Sequence, residues 1–136
     1  MKILVSGGAG FIGSHTVDLL IKERHQVAVV DNLSSGLREN INLKANFYEV
    51  DLGDFSKISE IFEIEKPEAV YHFAAQINVR ESVKNPINDA RINIINALNL
   101  LELCVKSNVK HFIFSSTGGA IYGDADIPTC ESCIEK

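Results

Sequence analysis

The chain has 136 residues, 46% hydrophobic and 23% charged, with a formal net charge of −5. That length suits a single domain with a real core, and the acidic balance offers no basic face for nucleic acid or an anionic membrane. No apolar run approaches the roughly 18 residues of a membrane span, and the N-terminal apolar stretch is too short for a signal peptide. Three cysteines, an odd number without a secretory signal, favour reduced thiols and a cytoplasmic setting.

Lys2-Ile3-Leu4-Val5-Ser6 predicts a short buried strand, and it runs straight into Gly7-Gly8-Ala9-Gly10-Phe11-Ile12-Gly13. Phe11, Ile12, Val17, Leu19, Leu20 and Ile21 then recur at helical spacing, with Lys22-Glu23-Arg24 closing that helix. Gln26 to Val30 predicts a second strand ending at Asp31, followed by an Asn32-Leu33-Ser34-Ser35-Gly36 loop. A third strand is expected from Phe47 to Val50, ending at Asp51. Phe55, Ile58, Ile61, Phe62 and Ile64 are expected along one side of a helix that Pro67 terminates. Ala69 to Phe73 predicts a fourth strand. From about Ile87 to Val105 a long helix is expected, with Ala90, Ile94, Ala97, Leu98, Leu101 and Val105 on a broad apolar face and Asn88, Asn96, Asn99 and Glu102 opposite. His111 to Phe114 predicts a fifth strand, leading into Ser115-Ser116-Thr117-Gly118-Gly119. Strands of buried type alternating with helices imply an α/β fold with a doubly wound parallel sheet. Ser6, Asp31, Asp51, Ala74 and Ser115 stand at the strand ends, the edge where such sheets bind ligands.

A strand, a glycine turn and a helix start make a phosphate-binding device. Backbone N–H groups and the helix dipole face the anion, and missing Cβ atoms let a pyrophosphate approach. Two spacings coexist here: Gly8, Gly10 and Gly13 fit G-x-G-x-x-G, and Gly7, Gly10 and Gly13 fit G-x-x-G-x-x-G. Such strings also occur in plain turns, but this one has a strand before it, a helix after it and an acid closing the next strand. Asp31 is placed to accept hydrogen bonds from the adenosine ribose, which favours NAD over the 2′-phosphate of NADP. Asp51 has the same position after the third strand, where a turn aspartate before Leu52-Gly53-Asp54 is an equal reading.

Together these residues resemble the extended short-chain dehydrogenase/reductase family, in its NAD-dependent epimerase/dehydratase group. Ser6 to His15 is similar to that family's opening fingerprint, with Ser6 in place of the more usual threonine, and Asp31 to Gly36 resembles its adenosine-binding loop. His72-Phe73-Ala74-Ala75-Gln76 resembles the segment under the nicotinamide ribose, and Asn93 matches the family's structural and active-site asparagine. Phe112 to Gly123 matches the strand and loop leading to the reacting sugar. The resemblance spans essentially the whole chain and is strongest to the UDP-glucose 4-epimerases of bacteria and archaea. It implies a Rossmann-type sheet of about five strands in order 3-2-1-4-5, incomplete, as the N-terminal NAD-binding part (residues 1–136) of a longer enzyme. It further implies NAD as cofactor, a nucleotide sugar such as a UDP-hexose as substrate, and a homodimer. The implied cofactor contacts are Gly7, Gly10, Phe11, Ile12, Gly13, Asp31, Asn32, Ser35, Gly36, Asp51, Leu52, Phe73, Ala74, Ala75, Gln76, Asn93 and Ser115, with no metal.

In that group a Ser or Thr after the fifth strand bonds the sugar 4-hydroxyl. Counting from the strand gives Thr117; counting back from Tyr122-Gly123 gives Gly118, and the strand count is preferred because a loop absorbs an extra residue more easily. Related dehydratases carry Asp and Glu where Gly119 and Ala120 stand, so the resemblance points away from dehydration. The family's base is the tyrosine of a Tyr-x-x-x-Lys pair, whose ammonium lowers the phenol pKa. This chain's three tyrosines are followed four residues on by Leu52, Ala75 and Asp126. The 136 residues are therefore expected to be catalytically incomplete, as a fragment or a short form, with the C-terminal sugar-binding region absent. A non-catalytic NAD-binding module, or another member of the family acting on a nucleotide sugar, are the alternatives. Cys130-Glu131-Ser132-Cys133 is a C-x-x-C without a second ligand pair, read as incidental thiols, and Cys104 as a core residue. His72 is read as a packed, hydrogen-bonded histidine rather than a base.

Overall fold

The computed structural model describes residues 1–117, 121–123, 128–130, 132 and 133. Its five strands are β1 (Lys2–Ser6), β2 (Gln26–Asp31), β3 (Asn46–Glu49), β4 (Ala69–His72) and β5 (His111–Phe114). They form one sheet in the order β3-β2-β1-β4-β5, and every pairing is parallel, as the alternation of elements predicts. In register, Ser6 lies between Val30 and His72, so the strand ends line up along one edge.

Side-chain alternation along β1 sorts the core into two layers. Leu4 faces one layer with Val30 and Val70, closed by Ile58, Ile61 and Phe62 of α2 (Phe55–Glu65) and by Leu100, Leu103 and Cys104 of α5 (Asn96–Lys106). Ile3 and Val5 face the other with Val27 and Val29, closed by Val17 and Leu20 of α1 (Phe11–Lys22). Lys66 in the left-handed region (φ 49°) ends α2 one residue before Pro67.

Two helical pieces precede α5: α3 (Val79–Lys84), which the residue pattern did not suggest, and α4 (Pro86–Ala90). Arg91–Ile95 is a π-turn that joins α4 to α5, so the predicted long helix is continuous but not uniform. The Asn96 N–H donates to the Arg91 carbonyl, five residues back instead of four. That extra residue per turn breaks the 3.6 period. The expected apolar face is accordingly corrected: Ile94, Leu98, Leu101 and Val105 are exposed, whereas Asn96, Ala97, Leu100, Leu103 and Cys104 are buried. Phe11, Ile12 and Leu19 of α1, and Phe55 and Ile64 of α2, are likewise exposed. They sit at helix ends or outside the narrow stripe that a two-layer core can cover. Among the described residues, no helix is long and apolar enough to cross a membrane.

Candidate functional site

At the carboxyl edge of the sheet lies a cleft of about 350 Å³, lined by residues that follow four successive strands. The turn after β1 contributes Gly7 and Gly10. Asp31, Asn32 and Ser34 to Gly36 follow β2, and Asp51 and Leu52 follow β3; Phe73 to Asn78 follow β4, and Ile92 and Asn96 rise from the π-turn and α5.

The glycine turn is built for close approach. Gly7 has φ +74°, and a Cβ there would stand 2.5 Å from Ala74 N; a Cβ on Gly13 would stand 2.1 Å from the Gly7 carbonyl oxygen. Neither position accepts a side chain without moving backbone. Gly8 instead packs against Val29, so of the two possible spacings the one that shapes the turn is Gly7, Gly10, Gly13. The first helical N–H groups of α1, at Phe11, Ile12 and Gly13, have no intrahelical acceptor. Asp54, Asn78 and Asn85 cap α2, α3 and α4 through their side chains, but Gly10 offers α1 none, and its first turn holds no acid. That helix start carries unneutralised positive potential beside the cleft.

Asp31 is held by two backbone donors: Ala9 N–H donates to Oδ2 at 3.0 Å and Leu33 N–H to Oδ1 at 2.9 Å. The carboxylate thus bridges the glycine turn and its own loop, and lone pairs remain on both oxygens for a ligand hydroxyl. Asp51 closes a turn and also lines the cleft. Gly53 N–H donates to Oδ1 at 2.7 Å to close a turn, and Asn32 Nδ2 donates to Oδ2 at 2.5 Å across the cleft rim.

Asn93 sits in the π-turn and does not line the cleft. Its Oδ1 accepts from Gln76 N–H at 2.8 Å, and its Nδ2 donates to the Gln76 carbonyl at 2.9 Å and to Asp89 Oδ1 at 3.1 Å. Asp89 Oδ1 also accepts from Ser82 Oγ at 2.7 Å and Gln76 Nε2 at 3.2 Å. Asn93 therefore clamps the peptide of Gln76 and fixes the wall made by Phe73 to Gln76.

Ser115 and Thr117 follow β5, are exposed and stand outside the cleft lining; Ser115 N–H donates to the His72 carbonyl. Gly118, Gly119 and Ala120 lie outside the described residues. His72 is 3% exposed, with its Nδ1 2.6 Å from Ser6 Oγ, and burial pushes its imidazole below the ordinary histidine value. It is a packed neutral ring, as its place on a buried strand predicts. Cys104 is buried and its thiol is pushed up to about 11, whereas Cys130, bonded by Ser132 and Cys133, is drawn down to about 7. Among the described residues no cluster of three or more His, Cys, Asp or Glu could hold a metal ion.

The cleft-lining residues that the sequence reading missed are Val30, Ser34, Val50, Ile77, Asn78, Ile92 and Asn96. Most belong to runs it did recognise. Asn96 was concealed by the π-turn, which rotates it from the presumed outer face to the inner one.

Comparison with known proteins agrees with this architecture. Residues 3–135 match the NAD dependent epimerase/dehydratase family. The chain is 46% identical over 123 residues to a UDP-glucose 4-epimerase of Lactobacillus helveticus, covering 90% of this chain and 37% of that one. A UDP-glucose 4-epimerase of Thermotoga maritima, solved with UDP-glucose, superposes with a TM-score of 0.91 at 54% identity, covering 100% of this chain and 45% of that one. The Thermus thermophilus UDP-glucose 4-epimerase, solved in complex with NAD, gives a TM-score of 0.91 at 43% identity, with 100% and 44% covered. The chain spans about two-fifths of the length of the curated relatives it matches. With a five-stranded parallel sheet in the 3-2-1-4-5 order and a glycine-turn cleft at its edge, the chain belongs to the NAD dependent epimerase/dehydratase family.

Proposed function

We propose that these 136 residues are the NAD-binding, N-terminal portion of a UDP-glucose 4-epimerase. The observation that carries this reading is the pairing of an uncapped α1 start with Asp31 in one cleft. The residues fit the cofactor: Gly7 and Gly13 leave room that a Cβ would fill, the free N–H groups of α1 suit a pyrophosphate, and Asp31 suits ribose hydroxyls. NAD, when bound, supplies the hydride acceptor and donor for inversion at the sugar C4. This chain's own part is to bind and orient. Gly7, Gly10, Phe11, Ile12 and Gly13 hold the phosphates, Asp31, Asn32, Ser35 and Gly36 the adenosine ribose, and Asp51 and Leu52 the base. Phe73 to Gln76, stiffened by Asn93, support the nicotinamide end, with Ser115 beside it. Thr117 orients the sugar hydroxyl. The free cysteines suit a cytoplasmic setting, and the exposed apolar side of α5 suits a homodimer.

Asp31 tests the cofactor assignment. Losing an acceptor that makes charge-assisted bonds costs about 1.5–3 kcal/mol, so Asp31→Ala weakens NAD binding by one to two orders of magnitude. Calorimetric titration of both proteins with NAD and NADP reads this. Equal NAD affinity in the two, or a wild-type preference for NADP, contradicts the assignment.

A further inference from the structure

Asn96 opens α5 directly after the π-turn and is 5% exposed, yet it lines the cleft with Val50, Asp51, Leu52 and Ile92. A Cβ on Gly53 would stand 3.6 Å from its Oδ1 and 3.7 Å from its Nδ2, so the carboxamide lies against the loop that leaves β3. No described residue forms a hydrogen bond with that carboxamide. In addition, no side-chain nitrogen or oxygen sealed from solvent among the described residues lacks a partner. The Asn96 amide atoms are therefore not sealed: they open into the cleft with their bonding capacity unused. A ligand that covers them must bond to them, because an amide stripped of water without a new partner loses its hydrogen bonds uncompensated.

The strand order says which part of a dinucleotide arrives there. Along the sheet edge the β3 loop lies on one side of Asp31 and the glycine turn on the other. With the pyrophosphate at α1 and the ribose at Asp31, the base extends towards Asp51, Gly53 and Asn96. Val50, Leu52 and Ile92 give that end apolar walls suited to a flat ring. We propose that Asn96 is a specificity residue for the adenine base, its Oδ1 accepting from the exocyclic amine and its Nδ2 donating to the neighbouring N7. An asparagine carboxamide offers one donor beside one acceptor, the complement of that edge. Hypoxanthine presents two acceptors there and leaves one of the pair unmatched. This assignment rests on the NAD reading above.

The test compares NAD with nicotinamide hypoxanthine dinucleotide on the wild-type chain, Asn96→Leu and Asn96→Ala, by calorimetry. The wild type binds NAD about tenfold more tightly than the hypoxanthine analogue, and each variant binds the two alike. The preference is a ratio within one protein, so partial unfolding of a variant does not mimic its loss, and two substitutions guard against a fold defect in one. Variants that keep the wild-type preference, or wild-type NAD affinity, overturn the role of Asn96 while leaving the cofactor assignment intact. A wild-type chain that binds neither dinucleotide overturns both.

Discussion

At the scale of single residues, Ser6 and His72 show how the sheet edge is kept rigid beneath the cleft. Both are buried, at 0% and 3% exposure, and their 2.6 Å hydrogen bond satisfies two polar groups that water cannot reach. The ring lies between Phe112 and Phe114, with centroids 6.1 and 5.6 Å away. Desolvation holds the folded imidazole below its ordinary value, so the unfolded chain takes up a proton first as pH falls. Stability is therefore full above about pH 6.5 and declines below it. Asp54, held low by Lys57, acts in a separate window, because its contribution is lost only below about pH 4. Urea unfolding from pH 7 to pH 5 should show the decline in the wild type. The double variant Ser6→Ala, His72→Phe leaves no buried hydroxyl unpaired and should flatten the curve. An identical slope in the double variant would assign the decline to another group.

At the scale of elements, the strands were readable because each is a run of β-branched and aromatic residues bounded by polar or turn residues. Their predicted limits differ from the observed ones by a residue at most, as for β3 at Asn46–Glu49. The glycine turn was readable because a strand, three spaced glycines and a helix leave little else to build. The segment from Val79 to Lys106 was less readable. Its π-turn is held by Asn93 bonding back to Gln76, a tertiary contact that no local period announces. The phase shift gives α5 apolar residues on two sides. Leu100 and Leu103 are buried, while Leu98 is 56% and Val105 81% exposed. A helix apolar on both sides is normally covered on both, and each Å² left in water costs roughly 25 cal/mol. Sedimentation velocity over a range of concentrations should therefore show the 136-residue chain self-associating, and Leu98→Glu with Val105→Glu should return it towards monomer. A wild-type monomer at every concentration would contradict a role for this face in association.

At the scale of the whole molecule, the parallel sheet collects the ends of four strands along one edge, and a single cleft there gathers residues from positions 7 to 96. That is a cofactor platform. It carries no Tyr-x-x-x-Lys pair, since Leu52, Ala75 and Asp126 stand four residues beyond the tyrosines. The proposed epimerase reaction needs a proton acceptor as hydride leaves the sugar, and these residues do not contain the tyrosine–lysine pair that the resemblance implies for it. The most direct measurement is turnover of UDP-galactose with NAD by two proteins. One is the 136-residue chain; the other is a chimaera in which it replaces the matched 45% of the Thermotoga maritima UDP-glucose 4-epimerase. The chain alone should be silent and the chimaera should form UDP-glucose. Turnover by the chain alone, or a folded chimaera that binds both NAD and UDP-glucose yet converts nothing, would contradict the account.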